Sequence, residues 1–184
     1  FKRIKNSLKS SRNYPTKIIK VPAFNLPMYR GYYLPSPIVS EFKKQLDQFK
    51  PDLIHIHSPE TLAWAALRYA KENRIPTIAT HHTDFVEYLP YYHASFAEPL
   101  VWAILRNLYN QMNLITTPSS IIKEKLKENR IKRVISIPNG VDLNEFNPKF
   151  KSVGWRRHIL GRAEKPIILS VSRLSWEKDL RAPK

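Results

Sequence analysis

The sequence contains no cysteine, which excludes disulfide bonds and thiolate zinc sites. It has only four glycines, and they form neither a G-x-G-x-x-G motif, nor a Walker phosphate loop, nor a G-x-S-x-G nucleophile elbow. No apolar run approaches the roughly 20 residues of a membrane span, and no signal peptide is visible. We therefore expect a cytoplasmic protein, and any glycine loop that cradles a phosphate must lie outside this chain.

Acidic residues are scarce, with 15 Asp and Glu against 31 Lys and Arg, so the formal net charge is +16. Such an excess suits nucleic acid, an anionic membrane surface or a phosphorylated substrate. Lysine-rich surfaces also occur without any such partner. A basic nucleic-acid-binding α/β module stays an alternative, although the basic residues are scattered rather than interleaved with aromatic residues along one groove.

The length of 184 residues leaves room for one full domain or for parts of two. The chain begins at Phe1 rather than Met and ends at Lys184, shortly after a predicted strand. We expect that both ends are cut and that the sequence is the middle of a longer protein.

The most informative stretch is residues 51–84, which alternates strand, helix and strand. Apolar residues predict strands over 52–57 and 77–80, and helical spacing predicts a helix over 61–72. This is one right-handed, parallel βαβ unit. Ligands bind beyond the carboxyl ends of parallel strands. The pattern therefore predicts that His57 and the cluster at residues 81–84 lie beside one another at a site.

The rest of the chain continues the alternation, which predicts an α/β fold with a Rossmann-like parallel sheet and helices on both faces. Two helices carry apolar stripes that we expect to face the core: Leu100, Val101, Ile104, Leu105 and Leu108 in the first, and Ile121, Ile122 and Leu126 in the second. The remaining predictions are a strand over 17–21, a proline-rich loop over 22–37, helices over 39–49, 99–112, 119–128 and 155–162, an aromatic loop over 85–96, strands over 113–117, 134–137 and 166–171, and a linker over 142–150.

Histidines at the strand ends are the first candidates for chemistry. His82 can donate to a sugar hydroxyl or a phosphate, or act as a base, and the alternative is a histidine that caps the sheet edge. His81 should point the opposite way because side chains alternate along extended backbone. Asp84 either holds a hydroxyl and orients His82, or caps the following loop.

The pair His55 and His57 resembles a metal-ligand pair, but no H-E-x-x-H-like carboxylate pattern supports it. We expect no metal site, and we expect His55 to be a satisfied core residue. Asn139-Gly140 predicts a tight turn at the site edge. Arg173 and Lys178 follow the last predicted strand, where two cations can clamp a pyrophosphate or simply face solvent.

A set of motifs in a fixed order resembles the group-1 (family-4) retaining glycosyltransferases over about residues 40–180. These enzymes have the GT-B fold, in which two Rossmann-like domains face each other across a cleft. The motifs are PDLIHIHSP, IPTIATHHTDFVEYL, NQMNLITTPS, IPNGVDLNEFNP and ILSVSRLSWEKD.

The resemblance implies a division of the chain. Residues 1–141 would be the N-terminal, acceptor-side domain without its first strand, residues 142–164 a linker, and residues 165–184 the start of the C-terminal donor-binding domain. In the family an acidic E-x7-E motif holds the donor nucleotide and sugar, and this chain stops before the position of that motif. We therefore expect this piece alone to be inactive.

The resemblance also implies roles for single residues. His82 matches the histidine that contacts the donor sugar near the reacting carbon. Arg173 and Lys178 match the R-x4-K pair that binds the donor diphosphate and offsets the charge of the leaving group. Asn139 and Gly140 match the inter-domain PNG turn. Two departures are Ser172 before the arginine and Asp179 after the lysine, where the family has glycine.

The implied reaction transfers a sugar from a UDP- or GDP-linked donor to a hydroxyl with retention of configuration, and no metal cofactor is expected. HTDFVEYLPYY and W-x3-RNLYNQ are similar to enzymes that make membrane glycolipids by transferring glucosyl, mannosyl or sulfoquinovosyl groups. We therefore expect a lipid acceptor and an enzyme peripheral on the inner face of the cell membrane. A soluble sugar or polysaccharide acceptor is the alternative, and a non-catalytic scaffold with the same fold is another.

Several residues are candidates for acceptor contact on this resemblance, and the alternative for the aromatic ones is that they pack against each other. They are His57, Tyr88 and Tyr91, together with Phe24, Met28, Tyr29, Tyr32, Tyr33, Phe85 and Tyr92.

Overall fold

The computed structural model of the protein describes residues 18–25, 33–36, 40–161 and 166–172. Strands and helices alternate through most of this range. The strands are β1 (Ala23–Asn25), β2 (Tyr33–Pro35), β3 (Ile54–Ile56), β4 (Thr77–Thr80), β5 (Leu114–Thr117) and β6 (Val134–Ser136). The helices are α1 (Ser40–Phe49), α2 (Thr61–Asn73), α3 (Phe85–Tyr88), α4 (Glu98–Tyr109), α5 (Ser120–Glu128) and α6 (Val153–Leu160).

The central feature is a four-stranded parallel sheet in the order β3-β4-β5-β6. Each strand pairs with the next one along the chain, and a helix covers each crossover, as parallel connections require. The register pairs Ile56 with Ala79, and Thr80 with Thr116. The predicted Rossmann-like α/β fold is confirmed, and all four carboxyl ends lie along one edge.

The hydrophobic core lies between this sheet and the helices that flank it. The sheet contributes Ile56, Ala79, Ile115 and Val134. The helices and the segments after them contribute Ala63, Ala66, Leu67, Val86, Trp102, Leu105, Leu108, Tyr109, Met112, Leu126 and Ile131. The four sheet residues are register partners on one face of the sheet, so the core covers that face and fixes the strands that carry the side chains at the strand ends.

Two predicted helix faces were partly wrong. Leu100 is 63% exposed and Ile104 is also exposed, while Trp102, absent from the predicted stripe, is buried with Leu105. Helix α4 is apolar on more than one side, so spacing alone could not select the buried face. In α5, Ile122 packs against the core but Ile121 is exposed, because adjacent helical residues point in different directions.

The segment predicted as a proline-rich loop contains an antiparallel pair, β1 with β2. The Thr61 hydroxyl, at the start of α2, donates to the Pro35 carbonyl at 2.6 Å and ties this ribbon to the main domain. Residues 18–21 form no strand, which contradicts the described part of the strand predicted over 17–21. The predicted aromatic loop is also more regular than expected, since it contains α3 and the 3-10 turns Leu89–Tyr92 and Ser95–Ala97.

The strand predicted over 166–171 is wrong in this structure. Residues 166–172 pair with no strand of the described chain, and Ile168 is 96% exposed. A strand is stabilised by backbone hydrogen bonds to a neighbour, and no described residue supplies them to this run. Among the described residues, no helix combines the length and apolar character needed to cross a membrane.

Candidate active site

The carboxyl edge of the sheet brings together the histidines that the sequence placed at the ends of β3 and β4. His57 Nδ1 and His82 Nε2 share a hydrogen bond of 2.9 Å. Their rings are nearly parallel, with centroids 5.1 Å apart and an interplanar angle of 8°. Both side chains are exposed. The predicted proximity of these two histidines is therefore confirmed.

His55 lies on the same side of β3 as His57, and the prediction that it is a core residue was wrong. Its side chain is exposed. Its Nε2 shares a 2.6 Å hydrogen bond with Thr80 Oγ1, which in turn shares one of 2.7 Å with Thr116 Oγ1. The ring of His55 lies 4.1 Å from that of His57. The pKa of His55 is lowered, mainly because part of the ring is shielded from water and further because the rings of His57 and His82 lie nearby.

The alternation of side chains explains this arrangement. His55 and His57 are two residues apart, as are Thr80 and His82, so each pair lies on one face. Each residue of the first pair then contacts its counterpart of the second pair. The signals H-x-H and T-x-H in adjacent strands could have predicted the contact of His55 with Thr80, which the sequence analysis missed.

His81 faces the interior, as predicted from alternation. Its side chain is 3% exposed, and its Nδ1 lies 3.1 Å from the Tyr109 hydroxyl. Its Nε2 is buried without a hydrogen-bond partner in the described chain. Burial lowers the pKa of His81, and burial likewise raises the pKa of Tyr109. His81 is therefore a neutral, structural histidine.

Asp84 is held by a lysine of helix α5. Lys125 Nζ lies 2.8 Å from Asp84 Oδ2 and also contacts Glu87. Asp84 precedes α3 but makes no side-chain capping bond there. Burial works to lower the pKa of Lys125, but hydrogen bonds to Asp84 and Glu87 outweigh it and raise that pKa. The ion pair joins α5 to the loop that follows His82.

The remaining predicted site residues are less concentrated. Tyr88 is half-buried at the end of α3, and Tyr91 is exposed in the next turn. Asn139 and Gly140 are exposed beyond β6, but the predicted tight turn is absent there. Gly140 does not have a positive φ, and a Cβ on it would meet no atom within 4 Å. The fold of this chain therefore does not itself require a glycine at that position.

Other predicted residues fall outside or at the margins of the described ranges. Phe24 and Tyr33 are exposed in the β1–β2 ribbon, and Phe85 is half-buried. Arg173 and Lys178 lie outside the described residues, as do Met28, Tyr29 and Tyr32.

An apolar cleft of about 180 Å³ lies between helix α4 and the segments that follow β3 and β4. Pro59 and Glu60 line it just after β3, and Phe85 lines it just after the loop that carries His82 and Asp84. Helix α4 supplies the opposite wall through Val101, Ile104 and Leu105. The exposed imidazole nitrogens of His57 and His82 can exchange hydrogen bonds with a hydroxyl group, and the cleft is a separate apolar surface. No group of three or more His, Asp or Glu in the described ranges is placed to hold a metal ion.

Comparison with known proteins gives consistent matches. Residues 6–145 match the sequence model of the family described as Glycosyltransferase Family 4. The chain is 30% identical over 171 residues to sulfoquinovosyl transferase SQD2 of Arabidopsis thaliana, covering 91% of this chain and 34% of that protein. It is 30% identical over 162 residues to a GDP-mannose-dependent alpha-mannosyltransferase of Corynebacterium glutamicum, covering 88% and 39%. An alpha-monoglucosyldiacylglycerol synthase of Streptococcus pneumoniae is 29% identical over 153 residues, covering 77% and 34%. The chain thus spans a little over a third of the length of these relatives.

Proposed function

The chain belongs to glycosyltransferase family 4, and from this membership we propose that it forms part of an enzyme that glycosylates a membrane lipid. The enzyme transfers a sugar from a nucleotide-diphosphate sugar to a hydroxyl group of the lipid and retains the anomeric configuration. The observation that carries the proposal is the hydrogen-bonded pair of His57 and His82 at the carboxyl edge of the parallel sheet, where open α/β folds bind ligands.

In this proposal His82 contacts the donor sugar next to the reacting carbon. An exposed imidazole nitrogen at this edge can donate to or accept from a sugar hydroxyl, and its fixed ring orients the sugar for attack. The enzyme accelerates the reaction by positioning and by neutralising the departing diphosphate. Arg173 and Lys178 supply the neutralising charge, a role assigned from their positions in the R-x4-K motif. We propose no metal cofactor.

The acceptor hydroxyl belongs to a lipid. Two relatives carry names that refer to sulfoquinovosyl transfer and to monoglucosyldiacylglycerol. The apolar cleft, lined by Pro59 two residues after His57 and by Phe85 three residues after His82, offers a surface for the part of a diacylglycerol that adjoins its hydroxyl. Tyr88 and Tyr91 lie in the segment between Phe85 and α4, and an aromatic ring with a hydroxyl suits a membrane interface.

The enzyme works at the cytoplasmic face of a membrane without spanning it. The charge of +16 on this chain attracts an anionic lipid surface, and Phe96, just before α4, and Leu100, in its first turn, expose large apolar side chains. Residues 1–141 serve as the acceptor-side domain, and residues 165–184 begin the donor-binding domain after a linker.

The test uses the whole protein that carries this chain. It is mixed with labelled UDP-glucose or GDP-mannose and with anionic liposomes that contain diacylglycerol, and the product is extracted into organic solvent. We expect label in the organic phase, reduced about a hundredfold or more in His82→Ala. His158→Ala is the matched control, since His158 is exposed on α6 and contacts Trp155.

Each other outcome has a defined meaning. Label confined to a water-soluble product would replace the lipid with a soluble sugar acceptor. Absence of transfer from any donor, together with tight and salt-sensitive binding to nucleic acid, would overturn the enzyme proposal.

A further inference from the structure

Two hydrogen bonds cross from the β3 side to the β4 side of the site at the same sequence separation. His55 contacts Thr80 at 2.6 Å, and His57 contacts His82 at 2.9 Å, each over 25 residues. The first contact is anchored further by the 2.7 Å bond from Thr80 to Thr116 on β5. The contact of His57 with His82 therefore lies next to the anchored contact of His55 with Thr80. The ring of His57 is close to that of His55 and bonds His82 at the same time.

We propose that His57 is a positioning residue for His82, which it fixes in one ring orientation and in one neutral tautomer. This inference rests on the proposed role of His82 in the transfer reaction. It assigns His57 to the donor side of the chemistry, through His82, rather than to acceptor contact.

The chemistry of imidazole gives the reason. A neutral histidine has one nitrogen that donates and one that accepts, so the partner of one nitrogen determines the role of the other. Because His82 Nε2 bonds His57 Nδ1, the two rings must adopt matching tautomers, and His82 Nδ1 takes toward any ligand the role opposite to that of its Nε2. Partners of this kind orient the ring of a functional histidine and select its tautomer.

The geometry also restricts rotation of the His82 ring. The planes of His57 and His82 differ by 8°, so the hydrogen bond lies close to both ring planes. Turning the exposed His82 ring about its side-chain bonds would break its only hydrogen bond to a side chain of the described chain. Without His57, the ring would be free to sample several rotamers and both tautomers.

The first test observes the ring nitrogens directly and needs no activity. In ¹⁵N-labelled full-chain protein at about pH 8, where an ordinary histidine is neutral, two-bond nitrogen–proton correlations report which nitrogen carries the proton. We expect one tautomer at His82 in the wild type and both tautomers in His57→Phe, which keeps an aromatic ring but has no nitrogen. Unchanged signals from His81, which is buried against Tyr109, verify that the variant is folded.

The same spectra can overturn the inference. A mixture of tautomers at His82 in the wild type would do so, as would an unchanged single tautomer in His57→Phe. If His57→Phe fails to fold, His57→Asn serves instead, because its amide occupies the position of Nδ1. The amide can donate or accept, so His57→Asn should keep the His82 ring in place but relax its tautomer preference.

The second test measures transfer by the whole protein. His57→Phe should lower kcat about tenfold, which is the value of one hydrogen bond, and His57→Asn should restore most of it. In a His82→Ala background, His57→Phe should have no further effect, because His57 acts through His82. Independent, multiplying losses in the double variant would overturn the inference. If no variant or wild-type protein transfers sugar, the proposed function fails, and the tautomer measurement still decides the role of His57.

Discussion

His81 and His82 are consecutive residues, but their rings point to opposite sides of the sheet edge. The His81 ring is buried and lies 3.1 Å from the Tyr109 hydroxyl, whereas the His82 ring is exposed and bonds His57 at 2.9 Å. The alternation of extended backbone separates them. One dipeptide therefore supplies a structural histidine to the core and a second histidine to the candidate site.

The first prediction concerns the pH dependence of stability. Burial lowers the pKa of His81, so the native protein keeps this ring neutral while the unfolded chain takes up a proton below about pH 6.5. The unfolded state then binds more protons, and the free energy of unfolding falls as the pH falls through that value. Urea unfolding at about pH 7.5 and pH 5.5 should show the loss, and His81→Phe should reduce it.

The pKa of His55 is lowered as well, so part of the pH dependence should remain in His81→Phe. His158→Phe is the control, because His158 is exposed on α6, and it should keep the full wild-type loss. Equal pH dependence in the wild type and in His81→Phe would show that His81 is not its source.

The second prediction concerns the ion pair between α5 and the loop after His82. The side chain of Asp84 is only 13% exposed, and Lys125 forms an ion pair with its Oδ2. Its Oδ1 has no hydrogen-bond partner among the described residues. Lys125→Met would leave a largely buried carboxylate without a charged partner. We expect the free energy of unfolding to fall by about 1–3 kcal/mol, measured by urea denaturation.

Lys127→Met is the matched control on the same helix, since among the described residues the ammonium of Lys127 pairs with Glu124 in an exposed contact. Its cost should stay within about 0.5 kcal/mol. Asp84→Asn combined with Lys125→Met should recover part of the loss, because no buried charge then remains. A similar cost for both lysine variants would argue against this ion pair.

The third prediction tests which face of α4 is buried. Leu108 is 0% exposed, whereas Leu100 on the same helix is mostly exposed. Leu108→Ala should lower the free energy of unfolding by about 2–5 kcal/mol through lost burial and a residual cavity. Leu100→Ala should change it by no more than about 0.5 kcal/mol. The reverse order in urea denaturation would mean that the helix is rotated relative to the structure described above.

Much of the fold could be predicted from the sequence because it depends on local signals. Period-two and helical patterns, interrupted by proline and polar residues, placed the strand at Thr77–Thr80 and the helix from Thr61. The rule that parallel strands end at one edge then placed His57 beside His82. These features need only the order of the elements and the alternation of side chains.

Other features depend on contacts between residues that are distant in the sequence. Lys125 and Asp84 are 41 residues apart, and nothing local distinguishes Lys125 from its neighbours Lys123 and Lys127. The exposure of His55 follows from the face of β3 on which it lies, since Ile56 on the opposite face is buried in the core, and a short strand pattern does not reveal which face is covered. Tertiary context decides such cases.

The last prediction concerns membrane binding and follows from the proposed lipid acceptor. Leu100 and Ile104 are exposed neighbours on one face of α4, and Phe96 is exposed in the 3-10 turn just before it; together they form an apolar line at the start of the helix. If this line enters the headgroup region, replacing all three residues by serine should weaken binding to anionic liposomes about tenfold or more. Flotation of the whole protein with liposomes measures the effect, and unfolding by urea should be nearly unchanged.

A second triple variant distinguishes membrane insertion of this apolar line from nonspecific hydrophobic adsorption. Ile121, Val153 and Ile159 are also exposed but lie on α5 and α6, and their replacement by serine removes similar apolar area from another surface. This control should bind liposomes like the wild type. Added salt should weaken binding of both triple variants, because the charge of +16 acts independently of the apolar line. If both triple variants lost liposome binding equally, α4 would not be the element that docks on the membrane. Insertion of one apolar line predicts that only its own replacement weakens binding, whereas nonspecific adsorption predicts equal losses.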